Sequence, residues 1–182
     1  MRNKGFTIIE MLVGVSVFLV ATQITAGIFV QAVRTQRQVN KILTVQGDTG
    51  IIMERISREI RSGYLFAIVA TPEASCTPGG SSANEGVKLC FYRYKDGAER
   101  EIEYIFDGSD IVRSENGVAG KLNARTTSIK KLRFVKTQSG ADSPWRITFV
   151  LWTAPRDPQA AITAQVQSTV SARILPEEVP EI

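Results

Sequence analysis

The run from Met11 to Val33 carries no charged side chain and spans the roughly twenty residues an α-helix needs to cross a bilayer core. From Gly5 to Val33 the one ionisable side chain is Glu10. A carboxylate at the edge of a membrane-length segment costs a few kcal/mol on insertion scales, about 3 for an acid at the helix centre, so its presence calls for a use. Gly14 and Gly27 are tolerable in a lipid helix. Ser16, Thr22, Gln23 and Thr25 can bond back to the backbone or to neighbouring helices. Arg2 and Lys4 precede the run, which predicts a cytoplasmic N-terminus and an extracytoplasmic remainder.

A secretory signal peptide would need a small-residue cleavage site after the apolar stretch, and none occurs between Ala21 and Val33. A plain membrane anchor explains the length and the flanking charges. It explains neither Glu10 nor the glycine between the basic leader and the apolar start.

The segment Lys4-Gly5-Phe6-Thr7-Ile8-Ile9-Glu10-Met11-Leu12-Val13 closely resembles the processing site of type IV prepilins and type II secretion pseudopilins. The resemblance implies cleavage between Gly5 and Phe6 by a prepilin peptidase on the cytoplasmic side, and N-methylation of Phe6. It makes Glu10 the acidic residue near the new N-terminus. A cleaved chain begins with a cationic amine at the bilayer edge, and a carboxylate one helical turn along can pair with it, within one chain or between neighbours. Such a pair about 4 Å apart at an effective dielectric near 20 has a Coulomb energy of about 4 kcal/mol, large enough to select register. Both charges are costly unpaired, which favours docked subunits.

Residues 34–63 are expected to continue as an amphipathic helix. Val39, Ile42, Leu43, Ile52, Met53, Ile56 and Ile60 recur near helical spacing, and Glu54 with Arg58 forms an i,i+4 pair. Gly47 and Gly50 predict a bend or a loosened turn, and Ser62-Gly63 a stop. A continuous helix from Phe6 would be about 85 Å long at about 1.5 Å per residue, matching the handle of a ladle-shaped pilin. Two separate helices are the alternative.

Residues 64–182 read as a β-rich extracytoplasmic head. Val87–Tyr94, Arg100–Phe106, Ile111-Val112, Ile129–Lys136, Trp145–Thr153 and Thr163–Leu175 are the strand candidates. Lys95-Asp96-Gly97 and Asp107-Gly108 are turns, and Thr71–Gly86 is a Pro/Gly/Ser-rich loop. The expected fold is therefore α+β, a long N-terminal helix packed on an antiparallel sheet. Cys76 in the loop and Cys90 in the next strand can oxidise outside the cytoplasm, and two unpaired thiols are the alternative.

Composition narrows the chemistry. The chain has no histidine, no Walker-type loop (Gly120-Lys121-Leu122 is a poor partial match) and no Cys-x-x-Cys, so no catalytic residue, metal, cofactor or nucleotide is expected. The net charge of +4 comes from the leader and from Arg34–Gly63; from Tyr64 onward fourteen basic residues balance fourteen acidic ones. That balance argues against nucleic acid as a partner. The dense group Lys130, Lys131, Arg133 and Lys136 reads as a solvated strand surface.

Within the head, Tyr92-Arg93-Tyr94-Lys95-Asp96-Gly97, Ile102-Glu103-Tyr104, Asp110-Ile111-Val112-Arg113 and Thr169–Arg173 resemble minor pilins of the W type and J-type minor pseudopilins. The tail Leu175–Ile182 departs from them in lacking an Arg-Asn ending. The resemblance implies a minor subunit of the inner membrane that initiates or caps a fibre. Its implied partners are the prepilin peptidase, other minor pilins or pseudopilins, and the inner-membrane assembly platform. A tip adhesin or DNA-uptake receptor, and a membrane-tethered periplasmic enzyme, are the competing classes.

Overall fold

The computed structural model describes residues 6–140, 143–157 and 162–173. One helix, α1 (Ile8–Arg61), precedes nine strands, and the chain divides into two compact units at Lys41/Ile42. In the first unit every residue from Phe6 to Ala32 is exposed, and α1 is long and apolar enough to cross a membrane.

The second unit has the expected α+β architecture. Strands β1 (Gly63–Val69), β3 (Lys88–Lys95), β4 (Ala98–Phe106), β5 (Ile111–Glu115) and β6 (Val118–Lys121) form a five-stranded sheet in the order β1-β3-β4-β5-β6. Strands β2 (Glu85–Gly86), β7 (Thr127–Thr137), β8 (Arg146–Pro155) and β9 (Ala164–Ser171) form a second sheet in the order β2-β7-β8-β9. Every pairing is antiparallel. The strands thus divide between two sheets that share one core. Ile52, Ile56 and Ile60 of the helix meet Leu89, Phe91, Ile102 and Tyr104 of the first sheet and Leu132, Phe134, Ile147, Phe149 and Leu151 of the second. In β4 and β8 the alternate residues Ile102 and Tyr104, and Ile147, Phe149 and Leu151, are buried, as the period of two requires.

The buried stripe of the helix runs Val45, Thr49, Ile52, Ile56, Glu59 and Ile60. Leu43 and Val39, read from sequence as part of an apolar face, are exposed. The helix continues through Gly47 and Gly50 without interruption, in place of the expected loosened turn. Packing supplies the reason, since polar contacts hold both residues between the glycines. The Thr49 hydroxyl donates to the Val45 carbonyl at 2.6 Å and lies 2.8 Å from the Thr153 hydroxyl of β8, while the Asp48 carboxylate accepts the Ala124 N–H at 3.1 Å. Contacts of this kind offset the roughly 1 kcal/mol each glycine takes from helix propensity.

Three strands lie outside the sequence reading. The loop 70–84 straps the outer edge of β1: Gly79 N–H donates to the Leu65 carbonyl at 2.8 Å, Ala83 N–H to the Ile68 carbonyl at 2.9 Å, and Ile68 N–H to the Ser82 hydroxyl at 2.9 Å. The loop then ends in β2, where Gly86 sits so close to β1 that a Cβ would stand 2.1 Å from the Val69 carbonyl oxygen. The four residues of β6 are exposed and show no apolar alternation. That strand is set by the Asn116-Gly117 turn, both residues at positive φ, the geometry a two-residue hairpin favours.

Candidate functional site

In the first unit the segment around Glu10 is a helix start. Thr7 is the N-cap: its hydroxyl accepts the Glu10 N–H at 3.3 Å, and its carbonyl accepts the Glu10 and Met11 N–H groups at 3.1 and 3.2 Å. Thr7-Ile8-Ile9-Glu10 has the Ser/Thr-x-x-Glu spacing of a capping box, and it places Glu10 in the first turn, where the helix dipole favours a negative charge. Phe6 precedes the cap and is 79% exposed. Gly5 lies outside the described residues.

Beyond Glu10 the helix turns its few hydroxyls inward. Ser16, Thr22 and Thr25 donate to the carbonyls of Leu12, Phe18 and Ala21 at 2.8, 2.8 and 2.9 Å. Internal satisfaction of this kind is what a lipid environment demands of polar groups. The surface between them consists of exposed side chains, Met11, Leu12, Val15, Phe18, Leu19 and Ile28 among them. An apolar helix surface of this extent fits lipid or other helices rather than water.

The second unit holds two buried carboxylates that sequence reading did not single out. Glu59 is 5% exposed and faces the first sheet. It accepts the Tyr104 hydroxyl at 2.6 Å and Arg113 Nε at 2.9 and 3.1 Å, and Arg55 and Arg93 stand 3.7 and 3.8 Å away. Burial, then the charge and hydrogen bond of Glu59, push the Tyr104 hydroxyl well above its ordinary range, with Arg113 opposing. Burial pulls Arg113 down, but its bonds to Glu59 and Glu115 outweigh that and hold its guanidinium charged. The signal for this node was present: Glu59 lies three residues after Ile56 and seven after Ile52, on the buried face of the helix.

Asp110, immediately before β5, is 1% exposed. Lys121 at 2.5 Å, the Asn123 amide at 2.9 Å and Arg156 donate to its two oxygens. The Lys121 bond first, then Asn123, with burial opposing and Arg156 adding, hold this carboxyl well below the usual carboxylate range. Asn123 also accepts the Ile111 N–H at 2.9 Å and donates to the Thr127 carbonyl at 2.8 Å, tying the first sheet to the start of β7.

Cys76 and Cys90 are joined in a disulfide with Cα atoms 6.1 Å apart, pinning the strapping loop to β3. Lys88 reinforces it, reaching the Ala74 carbonyl at 2.9 Å and Glu103 at 2.7 Å. The basic group of β7 is less uniform than a solvated surface. Lys131 and Lys136 lie over the Trp152 and Trp145 rings, and Lys136 also donates to the Phe66 carbonyl at 3.1 Å, while Lys130 and Arg133 are exposed. Among the described residues no three of Asp, Glu, Cys and His gather as a metal ion would require.

These nodes bind elements to one another, and both carboxylates are saturated by donors from the same chain. The chemistry they offer is mechanical: an ionic clamp between helix and sheet, a second between the sheets, and a covalent strap.

Residues 1–22 match the prokaryotic N-terminal methylation motif. No curated protein and no solved structure matches the chain. The matched motif, followed by one long apolar helix and an α+β head of antiparallel sheets, supports a type IV pilin-like protein and is consistent with membrane anchoring through α1.

Proposed function

We propose that this chain is a minor pilin or pseudopilin subunit that helps initiate or cap a type IV pilus or type II secretion pseudopilus. Prepilin peptidase cuts between Gly5 and Phe6 and methylates the Phe6 amine. The processed subunit waits in the inner membrane with its head outside the cytoplasm. It then enters the fibre with other minor subunits through the assembly platform. The observation that carries this reading is the methylation motif at residues 1–22 running directly into an exposed apolar helix whose first turn holds one carboxylate. Cutting creates a cation one turn from Glu10, so maturation and docking become one linked event.

The test is maturation in a host that expresses a prepilin peptidase. Intact-mass measurement is expected to show loss of residues 1–5 and one added methyl group on Phe6. Gly5→Ala is expected to leave the chain full-length and unmethylated. Normal trimming of Gly5→Ala would overturn the assignment of the leader.

A further inference from the structure

The charges of the head balance in sum but not in space. From Tyr64 onward basic and acidic residues are equal in number. Beside α1, three surface depressions of about 410, 200 and 520 Å³ run into one another. Arg55 lines the first and the second, and Lys121 the second and the third. Together their walls hold eight basic side chains and only three acidic ones. All three acids are already taken within the chain: Glu54 by Arg58 at 2.9 Å, Glu59 by Arg113 at 2.9 Å, and Asp110 by Lys121, Asn123 and Arg156. Arg55 and Arg93 stand 3.7 and 3.8 Å from Glu59, beyond hydrogen-bond reach, and Arg93 Nε is buried with no acceptor. Lys95 and Arg125 make no ion pair among the described residues. The groove therefore presents donors that the chain itself leaves unused.

The groove follows the helix. The Glu59–Arg113 clamp marks one end, and the Asp48 carboxylate, accepting the Ala124 N–H at 3.1 Å, marks the other. Those helix positions are about 16 Å apart at about 1.5 Å per residue, the span of roughly five residues of β-strand at about 3.3 Å each. The middle wall is β6, an edge strand of the first sheet. Leu122 N–H donates to the Ile111 carbonyl at 2.8 Å, so alternation along the ladder turns the backbone groups of Ala119 and Lys121 away from β5. Among the described residues no strand lies on that side.

A free edge of this kind is a template for one more extended chain. A second copy of β6 would bring like charges together, Lys121 and its basic neighbours on both sides. Nucleic acid would answer the charge, but no aromatic side chain lines the groove to stack a base. An acidic polypeptide answers both the free edge and the positive walls.

We propose that the groove between α1 and β6 is a docking site for an extended acidic segment of a partner protein. The segment adds to β6 as a further strand of the first sheet and sets its carboxylates against Arg55, Arg93, Lys95 and Arg125. This inference goes beyond the fibre role and stands on the head of a single chain.

Fluorescence polarisation with the full chain in detergent micelles tests it. The probe is a dye-labelled octapeptide alternating glutamate and valine, which as a strand places every carboxylate on one face. Methylating its glutamate nitrogens and methylating its valine nitrogens block opposite edges of the peptide. One of these two versions is expected to bind at least tenfold more weakly than the other. Lys95→Gln combined with Arg125→Gln is expected to weaken the unmethylated probe at least fivefold without moving the thermal midpoint. Ala119→Pro removes an outward N–H at an edge position where proline is tolerated, and is expected to weaken it at least tenfold. Should that variant fail to fold, the two methylated probes carry the same test on the wild-type chain. Equal affinity of the two methylated probes, or wild-type affinity in the Lys95/Arg125 double variant, would overturn the proposal. So would tighter binding of an oligothymidylate of equal charge, which would assign the groove to nucleic acid. A concentration-dependent dimer that the peptide disperses would overturn it by giving the edge to a second copy.

Discussion

Arg113 meets Glu59 through a single nitrogen that contacts both carboxylate oxygens, Nε lying 2.9 Å from Oε2 and 3.1 Å from Oε1. The pair joins the last turns of α1 to β5, across fifty-four residues of sequence, and both side chains are about nine-tenths buried. A buried pair of this kind is costly to break from one side, because the remaining charge loses its partner. Glu59→Ala leaves Arg113, Arg93 and Arg55 facing one another. The expected loss is about 3 kcal/mol or more, read as a drop of about 10 °C in the thermal midpoint of the full chain in detergent. A change within about 1 °C would mean the clamp adds little to stability.

Asp110 gives the acid side of the stability profile its shape. Its carboxyl is held well below the ordinary aspartate value by Lys121 and Asn123, with Arg156 adding. The folded state therefore binds a proton less readily than the unfolded one. The contribution is complete above the unfolded value of about 3.9 and is lost as pH falls below it toward the folded value. Denaturant midpoints between about pH 5 and about pH 3 are expected to fall more steeply in the wild type than in Asp110→Asn. Parallel slopes would remove Asp110 from the account.

The Cys76–Cys90 disulfide closes a loop with a sequence separation of 14. Chain-entropy arguments assign about 3 kcal/mol to a loop of that size. Reduction, or Cys76→Ala with Cys90→Ala, is expected to lower unfolding free energy by about that amount. Limited proteolysis is expected to cut first within 70–84, the loop it pins to β3. Equal stability in oxidant and in reductant would count against the estimate.

Glu10→Gln separates insertion from assembly. The apolar run is unchanged and the cap from Thr7 is retained, so membrane fractionation is expected to match the wild type. In the proposed fibre role, incorporation, measured by co-purification with pilin-like partner subunits, is expected to fall at least tenfold, the equivalent of about 1.4 kcal/mol out of a Coulomb energy of about 4. Wild-type incorporation would leave Glu10 as a helix-start residue only.

The capping geometry at Thr7 bears on how Glu10 is to be understood. Glu10 sits where a helix start favours an acid, and the proposed processing would give it a second role as counter-charge to the new N-terminus. The Thr-x-x-Glu spacing that carries the first role is local and could be read from sequence alone. The hairpin at Asn116-Gly117 was equally local, and alternating hydrophobicity missed it because β6 buries nothing. By contrast, β1 and β2 could not be read that way. One follows the helix within two residues, and the other is two residues long and owes its existence to β7.

What the sequence by itself determined is whatever depends on neighbours along the chain. The membrane-length helix, the acid at its start, the strand alternation from Lys88 to Phe106 and from Arg146 to Pro155, and the α+β class all follow from periodicity and composition. Tertiary structure decided the rest: the division of the strands into two sheets, the uninterrupted helix through Gly47 and Gly50, and the partners of Glu59 and Asp110. Each of these depends on contacts between residues distant in sequence. A carboxylate's cost when buried is known from its own chemistry, but the arginine that offsets it is named by the fold alone.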